Sequence, residues 1–591
     1  MYKKCYKGKK LGTNLWEMHL WESDGEHKVV PYEDIAYVED DNSYTCQGIN
    51  GENLRPTSKW FFNRNRPEKN TPNLHFHDMN THQKFLIEQY GTDDKPSTGH
   101  QELFYDIECE IGGALTEDYI ASAPMPITSI AFWHKQSDSW GCLILDPKGK
   151  VPKQTEGKIV LPFKTEAELL MYWVGIIQDI RPDILIGYNS DYFDNPYTYY
   201  RICNVCGKDV ADQMSPLYGI INEPVTSKKY SQYFYKSNMF IEIKGIESLD
   251  YIRLHKKYSW KDEPSWKLDA IGDKYTGVKK IEYDGNLNDL YEDDINKFVE
   301  YNFRDVEILK LLDEKLQYLA LTKNISHKGK HNYSEVYFNS VTQDGAISAY
   351  LLSQGIIPNN KERNPQKKQG YAGGWLFCPT AGLYKYMFDE DLTSLYPSII
   401  MTINIGKETY VGRIIDPSEG GDRNNRLGLN DLLAMNPTQP LIFETTSGIQ
   451  QRWEVGKIIK AVKKGKYAVA ANGAFFSTGK ESVLSTILNK WFTERVMYKN
   501  KMKDAYKSGD KEGGEHYHLM QYTMKILLNS LYGATALPSF RYGMNYAILS
   551  ESITLSGHRI IQESALAANR HMNKIMRSGE LSKEFKESLN I

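Results

Sequence analysis

The run Leu103-Phe104-Tyr105-Asp106-Ile107-Glu108 confines this chain more than any other stretch. It is apolar enough for a central β-strand, yet it carries two acids at i and i+2, which share one face of a strand. Two like charges side by side on a buried face are costly unless something positive joins them. Divalent metal ions about 4 Å apart are the usual answer in phosphodiester chemistry. An exposed edge strand with two surface acids is the alternative. Two further segments bear on the choice. Pro182-Asp183-Ile184-Leu185-Ile186-Gly187-Tyr188-Asn189 reads as a buried strand ending in a turn, and Asp194 opens a Tyr-rich helix just beyond it. Residues 294–312 read as a helix on which Tyr301 and Asp305, four apart, lie one above the other.

A second acidic centre is expected near residue 391. Tyr386, Met387 and Phe388 read as a strand, Asp389-Glu390-Asp391 as its acidic end, and Leu395-Tyr396-Pro397 as a turn entering a helix. A carboxylate beside open backbone amides suits a divalent metal carrying a polyphosphate. An Asp capping a buried helix is the plainer possibility. Further on, residues 481–507 and 515–532 carry apolar stripes at helical spacing, with Ser508 to Gly514 as the turn between them. Arg495 and Lys499 are four apart on the first helix. Lys525, Asn529 and Tyr532 share a face of the second. Arg and Lys donors on rigid elements suit a triphosphate, although amphipathic helices with solvated cations give the same pattern. Residues 467–476 read as a hairpin turning at Asn472-Gly473.

The 591 residues carry a formal net charge of −3, so the molecule as a whole is not a basic nucleic-acid binder. Contacts to nucleic acid must come from local patches. Length points to roughly three to five domains. The pair Cys203-x-x-Cys206 has no second pair to complete a zinc site, so reduced thiols in a reducing compartment are expected. No signal peptide and no apolar run long enough for a membrane span is visible. Residues 14–22 and 35–44 read as strands of a β-rich start, and residues 92–99 as a linker.

The wording of these segments resembles the family B DNA polymerases, closest to the replicative type of T-even-like bacteriophages. Asp391-Leu392-Thr393-Ser394-Leu395-Tyr396-Pro397-Ser398 is similar to the first polymerase motif. Lys525-Ile526-Leu527-Leu528-Asn529-Ser530-Leu531-Tyr532-Gly533 is similar to the fingers motif, and Glu494-Arg495 to Lys499 to its partner helix. The Asp106/Glu108, Asn189/Asp194 and Tyr301/Asp305 segments resemble the three exonuclease motifs, and Tyr371-Ala372-Gly373-Gly374 the segment between the two sites.

The resemblance implies a multidomain α/β (α+β) protein. Residues 1–98 would form a β-rich domain, 99–335 an RNase-H-like 3′→5′ exonuclease, and 336–380 a connector. Residues 381–450 and 541–591 would form an incomplete palm, with two-helix fingers at 451–540. It implies two Mg²⁺ ions per site (or Mn²⁺), held by Asp106, Glu108, Asp194 and Asp305 in one, with Tyr301 assisting and Asn189 near single-stranded DNA. In the other, Asp391 and the Leu392 carbonyl would hold metal. Ser394, Leu395, Tyr396, Arg495, Lys499, Lys525 and Asn529 would hold the deoxynucleoside triphosphate, with Tyr532 lining the nascent base pair. DNA primer-template and single-stranded DNA are the implied partners, in the cytoplasm (of a host, if phage-encoded). The family's DTD carboxylate motif and thumb are missing from these residues. The expectation is therefore a second chain supplying both, with any sliding clamp engaged through it. A stand-alone exonuclease with a non-synthesising DNA platform, or a truncated polymerase, is the alternative.

Overall fold

The computed structural model describes residues 1–12, 14–58, 74–110, 112–151, 154–155, 157–228, 240–259, 262–361, 372–376, 381–383, 390–415, 427–544 and 547–578. Tyr371, Asp389 and the expected strand at 386–388 lie outside them. The chain divides into two compact units. One comprises residues 1–45 and 54–353, the other 46–53 and 354–591.

The first unit is built on a seven-stranded mixed sheet. Its strands are β1 (Glu102–Cys109), β2 (Ile127–His134), β3 (Ser139–Leu145), β4 (Gln154–Thr155), β5 (Lys158–Phe163), β6 (Ile184–Gly187) and β7 (Glu247–Asp250). The order is β4-β5-β3-β2-β1-β6-β7. β1 pairs antiparallel with β2 and parallel with β6, so it is interior and the edge-strand alternative falls. Period-2 alternation then divides its side chains. Leu103, Tyr105 and Ile107 join a core with Trp173, Leu169 and Val174 of helix α1 (Glu166–Ile180) and Tyr197 and Ile202 of helix α2 (Asp194–Val205). Asp106 and Glu108 point to the other face, where α3 (Ile295–Leu316) packs. Both α1 and α3 start where a capping residue dictates. Thr165 and Glu168 form a reciprocal capping box, and the Asp294 side chain accepts the Lys297 amide.

A three-stranded antiparallel sheet, Tyr2–Leu11, Leu15–Glu22 and His27–Glu33, precedes this core. It is anchored by buried polar contacts. Lys3 and Lys4 both pair with Asp183 at the start of β6, at 3.0 and 2.9 Å. The stretch to residue 98 also holds a helix, Thr81–Tyr90, which joins the strand core through Phe85 and Leu86.

The second unit holds an antiparallel sheet of β8 (Tyr410–Ile415), β9 (Pro440–Thr445), β10 (Gln450–Glu454), β11 (Tyr467–Val469) and β12 (Ala474–Ser477), in the order β10-β9-β8-β12-β11. The β11–β12 hairpin turns at Gly473, whose φ of 77° a side chain would resist. Around it are helices α4 (Leu395–Ile403), α5 (Val483–Ser508), α6 (Lys511–Thr535) and α7 (Ile548–Ser578). The turn between α5 and α6 is shorter than the sequence implied. Only Gly509 and Asp510 separate them, because the Asp510 carboxylate accepts the Gly513 amide and starts α6 at Lys511 despite two glycines. Cys203 and Cys206 take part in no disulfide. Among the described residues no helix is long and apolar enough to cross a membrane.

Candidate metal centre

Three carboxylates meet on the face of β1 that looks toward α3. One oxygen each from Asp106, Glu108 and Asp305 lies within 4.8 Å of the others. β1 supplies the first two by its alternation. α3 supplies Asp305, with Tyr301 one turn earlier on the same face. A bulge in β2 lies beside Glu108. The register slips between the pairs Glu108–Ser129 and Cys109–Ile127, and the Thr128 hydroxyl bonds the Glu108 carbonyl at 3.1 Å. Bulges re-aim side chains in this way.

Asp194 enters from α2, buried. Its carboxylate accepts the Ile107 N–H at 3.2 Å, which ties it to the backbone between Asp106 and Glu108. Tyr105 donates to Asn195 at 2.5 Å, holding the start of α2 to β1 from behind.

The electrostatics follow from crowding. Burial, then the neighbouring acids Asp305, Asp194 and Glu108, push Asp106 well above the usual carboxylate range. Burial and then Asp305 push Glu108 up to about 8. Burial raises Asp194 to about 7 against the bond from Ile107. Burial raises Asp305 to about 6, held down by Lys280.

Lys280 is the cation that the sequence did not disclose. Its ammonium bonds Asp305 Oδ2 and lies 3.0 Å from the Tyr301 hydroxyl. It comes from an irregular stretch before α3, and no periodicity links position 280 to 301 and 305. Asn302 was also missed. Its amide donates to Asp106 Oδ2 at 2.8 Å and its carbonyl accepts from Ser129 at 2.8 Å. It sits three residues before Asp305, where the sequence shows only one more polar residue on the helix. The donor set fits a hard divalent cation: carboxylate oxygens only, with Asp305 Oδ1 buried and lacking any hydrogen-bond partner. Asn189 is exposed on the turn before α2, in a left-handed conformation with φ 66°.

The second predicted centre is more open. Asp391 and Leu392 are exposed just before α4, and Ser394 caps that helix at φ 54° without a side-chain bond. Leu395 and Tyr396 are half-buried on its first turn. The Tyr396 ring packs on the Tyr532 ring of α6, centroids 4.5 Å apart. Arg495 is half-buried with its Nε unbonded, and burial pulls its pKa down. Lys499 and Asn529 are exposed, and Lys525 is half-buried. Among the described residues only Asp106, Glu108 and Asp305 form a group of three or more acidic, thiol or imidazole side chains tight enough for a metal, and Asp391 belongs to no such group.

Two family models match the chain. Residues 344–591 match DNA polymerase family B, and residues 66–271 match its exonuclease domain. The second span includes Asp106, Glu108 and Asp194 and stops before Lys280, Tyr301 and Asp305. The chain is 30% identical over 448 residues to the DNA-directed DNA polymerase of Escherichia phage RB69, covering 72% of this chain and 48% of that protein. It is 28% identical over 452 residues to the DNA-directed DNA polymerase of Enterobacteria phage T4, covering 73% and 49%. With DNA polymerase 1 of Saccharolobus solfataricus it shares 24% over 441 residues, covering 70% and 41%. The chain thus spans about half the length of the two phage relatives.

Proposed function

The chain belongs to the family B DNA polymerases, and on that premise we propose that residues 99–335 remove nucleotides from the 3′ end of single-stranded DNA. The observation that carries this reading is the meeting of Asp106, Glu108 and Asp305 around an unbonded carboxylate oxygen. Asp106, Glu108, Asp194 and Asp305 would hold two Mg²⁺ or Mn²⁺ ions, which supply charge neutralisation and Lewis acidity at the scissile phosphate. The protein's own groups do the rest. Asn302 fixes the rotamer of Asp106, and the Ile107 amide fixes Asp194. Lys280 holds the Tyr301 hydroxyl, which in turn orients the attacking water. The Lys280 ammonium offsets charge building on the phosphate. Asn189, exposed at the rim, contacts the DNA end.

The test is digestion of 5′-labelled single-stranded DNA with Mg²⁺ by the 591-residue chain. Shortening from the 3′ end is expected, and Asp106→Ala with Glu108→Ala should abolish it. Full activity in that double variant would sink the assignment.

For the polymerase region we propose that Asp391 and the Leu392 carbonyl contribute to a metal site. Ser394, Leu395, Tyr396, Arg495, Lys499, Lys525 and Asn529 would receive a deoxynucleoside triphosphate. The packing of Tyr396 on Tyr532 supports this, since it brings the first-motif helix and α6 together beside one aromatic wall. Nucleotide addition needs a second carboxylate, and the 591 residues contain no DTD. The chain by itself is therefore expected to bind primer-template without extending it.

A further inference from the structure

Asp250 ends β7 beneath the turn that leads into α2. Its carboxylate is fully buried and addresses backbone amides. Oδ1 accepts the Asn189 N–H at 2.9 Å and the Ile252 N–H at 3.1 Å, and Oδ2 accepts the Asp191 N–H at 3.4 Å. The residue is itself clamped. Its N–H donates to the Tyr337 hydroxyl at 3.0 Å, and its carbonyl accepts from that hydroxyl at 3.2 Å. Capping the following helix, Tyr251–Tyr258, requires only the Ile252 bond. The Asn189 and Asp191 bonds reach some sixty residues back along the chain and serve another end.

That end is the turn. Asn189 sits at φ 66°, a conformation that costs a non-glycine residue energy unless its surroundings impose it. Its carbonyl accepts the N–H groups of Tyr192 and Phe193, both at 3.1 Å, so the turn closes just before α2 begins at Asp194. The same turn is braced from below. Arg253 ion-pairs with Asp191 and lies 3.7 Å over the Tyr337 ring. The position of Asp194 thus depends on the turn, and the turn on an acceptor at Asp250.

We propose that Asp250 is a positioning residue of the nuclease site. By accepting the Asn189 amide it holds the turn left-handed, which presents the Asn189 side chain at the rim and seats Asp194 against β1. The proposal rests on the exonuclease reading above.

The experiment measures degradation of single-stranded DNA with Mg²⁺ by the full chain, its Asp250→Asn and Asp250→Ala variants, and the wild type as baseline. If the wild type degrades nothing, the exonuclease reading fails, and this inference falls with it. Asp250→Asn keeps one carbonyl acceptor, and Asp250→Ala keeps none. Asp250→Ala is expected to lower kcat about 10- to 100-fold with a smaller change in KM, and Asp250→Asn to stay within about threefold of wild type. Wild-type kcat in Asp250→Ala, or equal losses in both variants, would overturn the proposal. A second measurement needs no variant. In the wild type the Asn189 and Asp191 amides should exchange with solvent as slowly as those of β6. Exchange at the rate of an open loop would also overturn it.

Discussion

Lys280 binds Asp305 and Tyr301 through one ammonium group, and its loss should be felt in chemistry more than in folding. On the exonuclease reading, Lys280→Ala is expected to lower nucleotide release by about 100-fold, read as kcat on single-stranded DNA, because the ammonium that holds Asp305 and the Tyr301 hydroxyl, and that would offset charge on the phosphate, is gone. The crowded acids carry an opposite cost. Asp106→Asn with Glu108→Gln should raise the melting temperature of the chain in EDTA at pH 7 by roughly 2–4 °C, since the unfolded chain no longer gains by ionising two carboxyls that burial and crowding keep protonated in the fold. An unchanged or lower melting temperature would contradict the raised pKa values. At this scale the sequence was legible where spacing encodes direction. The i, i+2 rule put Asp106 and Glu108 on one face, and the i, i+4 rule put Tyr301 over Asp305. Lys280 and Asn302 were not legible. Lys280 arrives from an irregular segment whose path no period describes, and Asn302 reads as one more polar residue on a helix until Asp106 is placed opposite it.

Single elements here are pinned by charges that burial makes valuable. Glu102 at the head of β1 is buried between Lys323 and Lys135. Burial pushes its carboxyl up, but the two lysines outweigh that and hold it at about 2. Its folded value lies below its unfolded one, so the native state binds fewer protons, and this stability is complete above about pH 5 and drains away as pH falls toward 2. Glu102→Gln should therefore destabilise the chain at pH 7 by on the order of 3 kcal/mol, and the gap from wild type should close on acidification. Denaturant titrations at a series of pH values would show this; a pH-independent gap would refute it. On α6, Asp510→Ala should cost about 1 kcal/mol and fray the first turn, seen as faster amide exchange over residues 511–514. The elements themselves were mostly legible from periodicity, including both long helices and the Asn-Gly hairpin. The start of α6 was not, because Gly513 and Gly514 read as turn residues and a cap outweighed their low helix propensity. The short helix Thr81–Tyr90 escaped for a different reason. Its pattern is weak, and it is held by packing Phe85 and Leu86 on the strands.

Taken whole, the chain has nearly balanced charge, and its chemistry resides in local concentrations of one sign. The resemblance in a handful of short motifs, three of exonuclease and the rest of polymerase wording, carried the family assignment, which the two family models support. Interior packing could not have given it, since many folds share such cores. On the proposed reading, these 591 residues by themselves are expected to shorten a primer in the presence of Mg²⁺ and all four deoxynucleoside triphosphates and to add none. Gel analysis of a labelled primer-template reads both outcomes at once, and net extension would mean that Asp391 does not need a second acid.

The lone lysine among four carboxylates has a consequence for the order of events. Asp106, Glu108, Asp194 and Asp305 face the Lys280 ammonium; burial and crowding keep protons on them while the cleft is bare, and each proton lost there adds a charge that repels a phosphate backbone. On the exonuclease reading, ions would load before, or together with, the frayed strand end, and chelation should weaken docking of the DNA terminus as well as its hydrolysis. The pocket would then behave as a turnstile that admits nucleic acid only in company with its counterions.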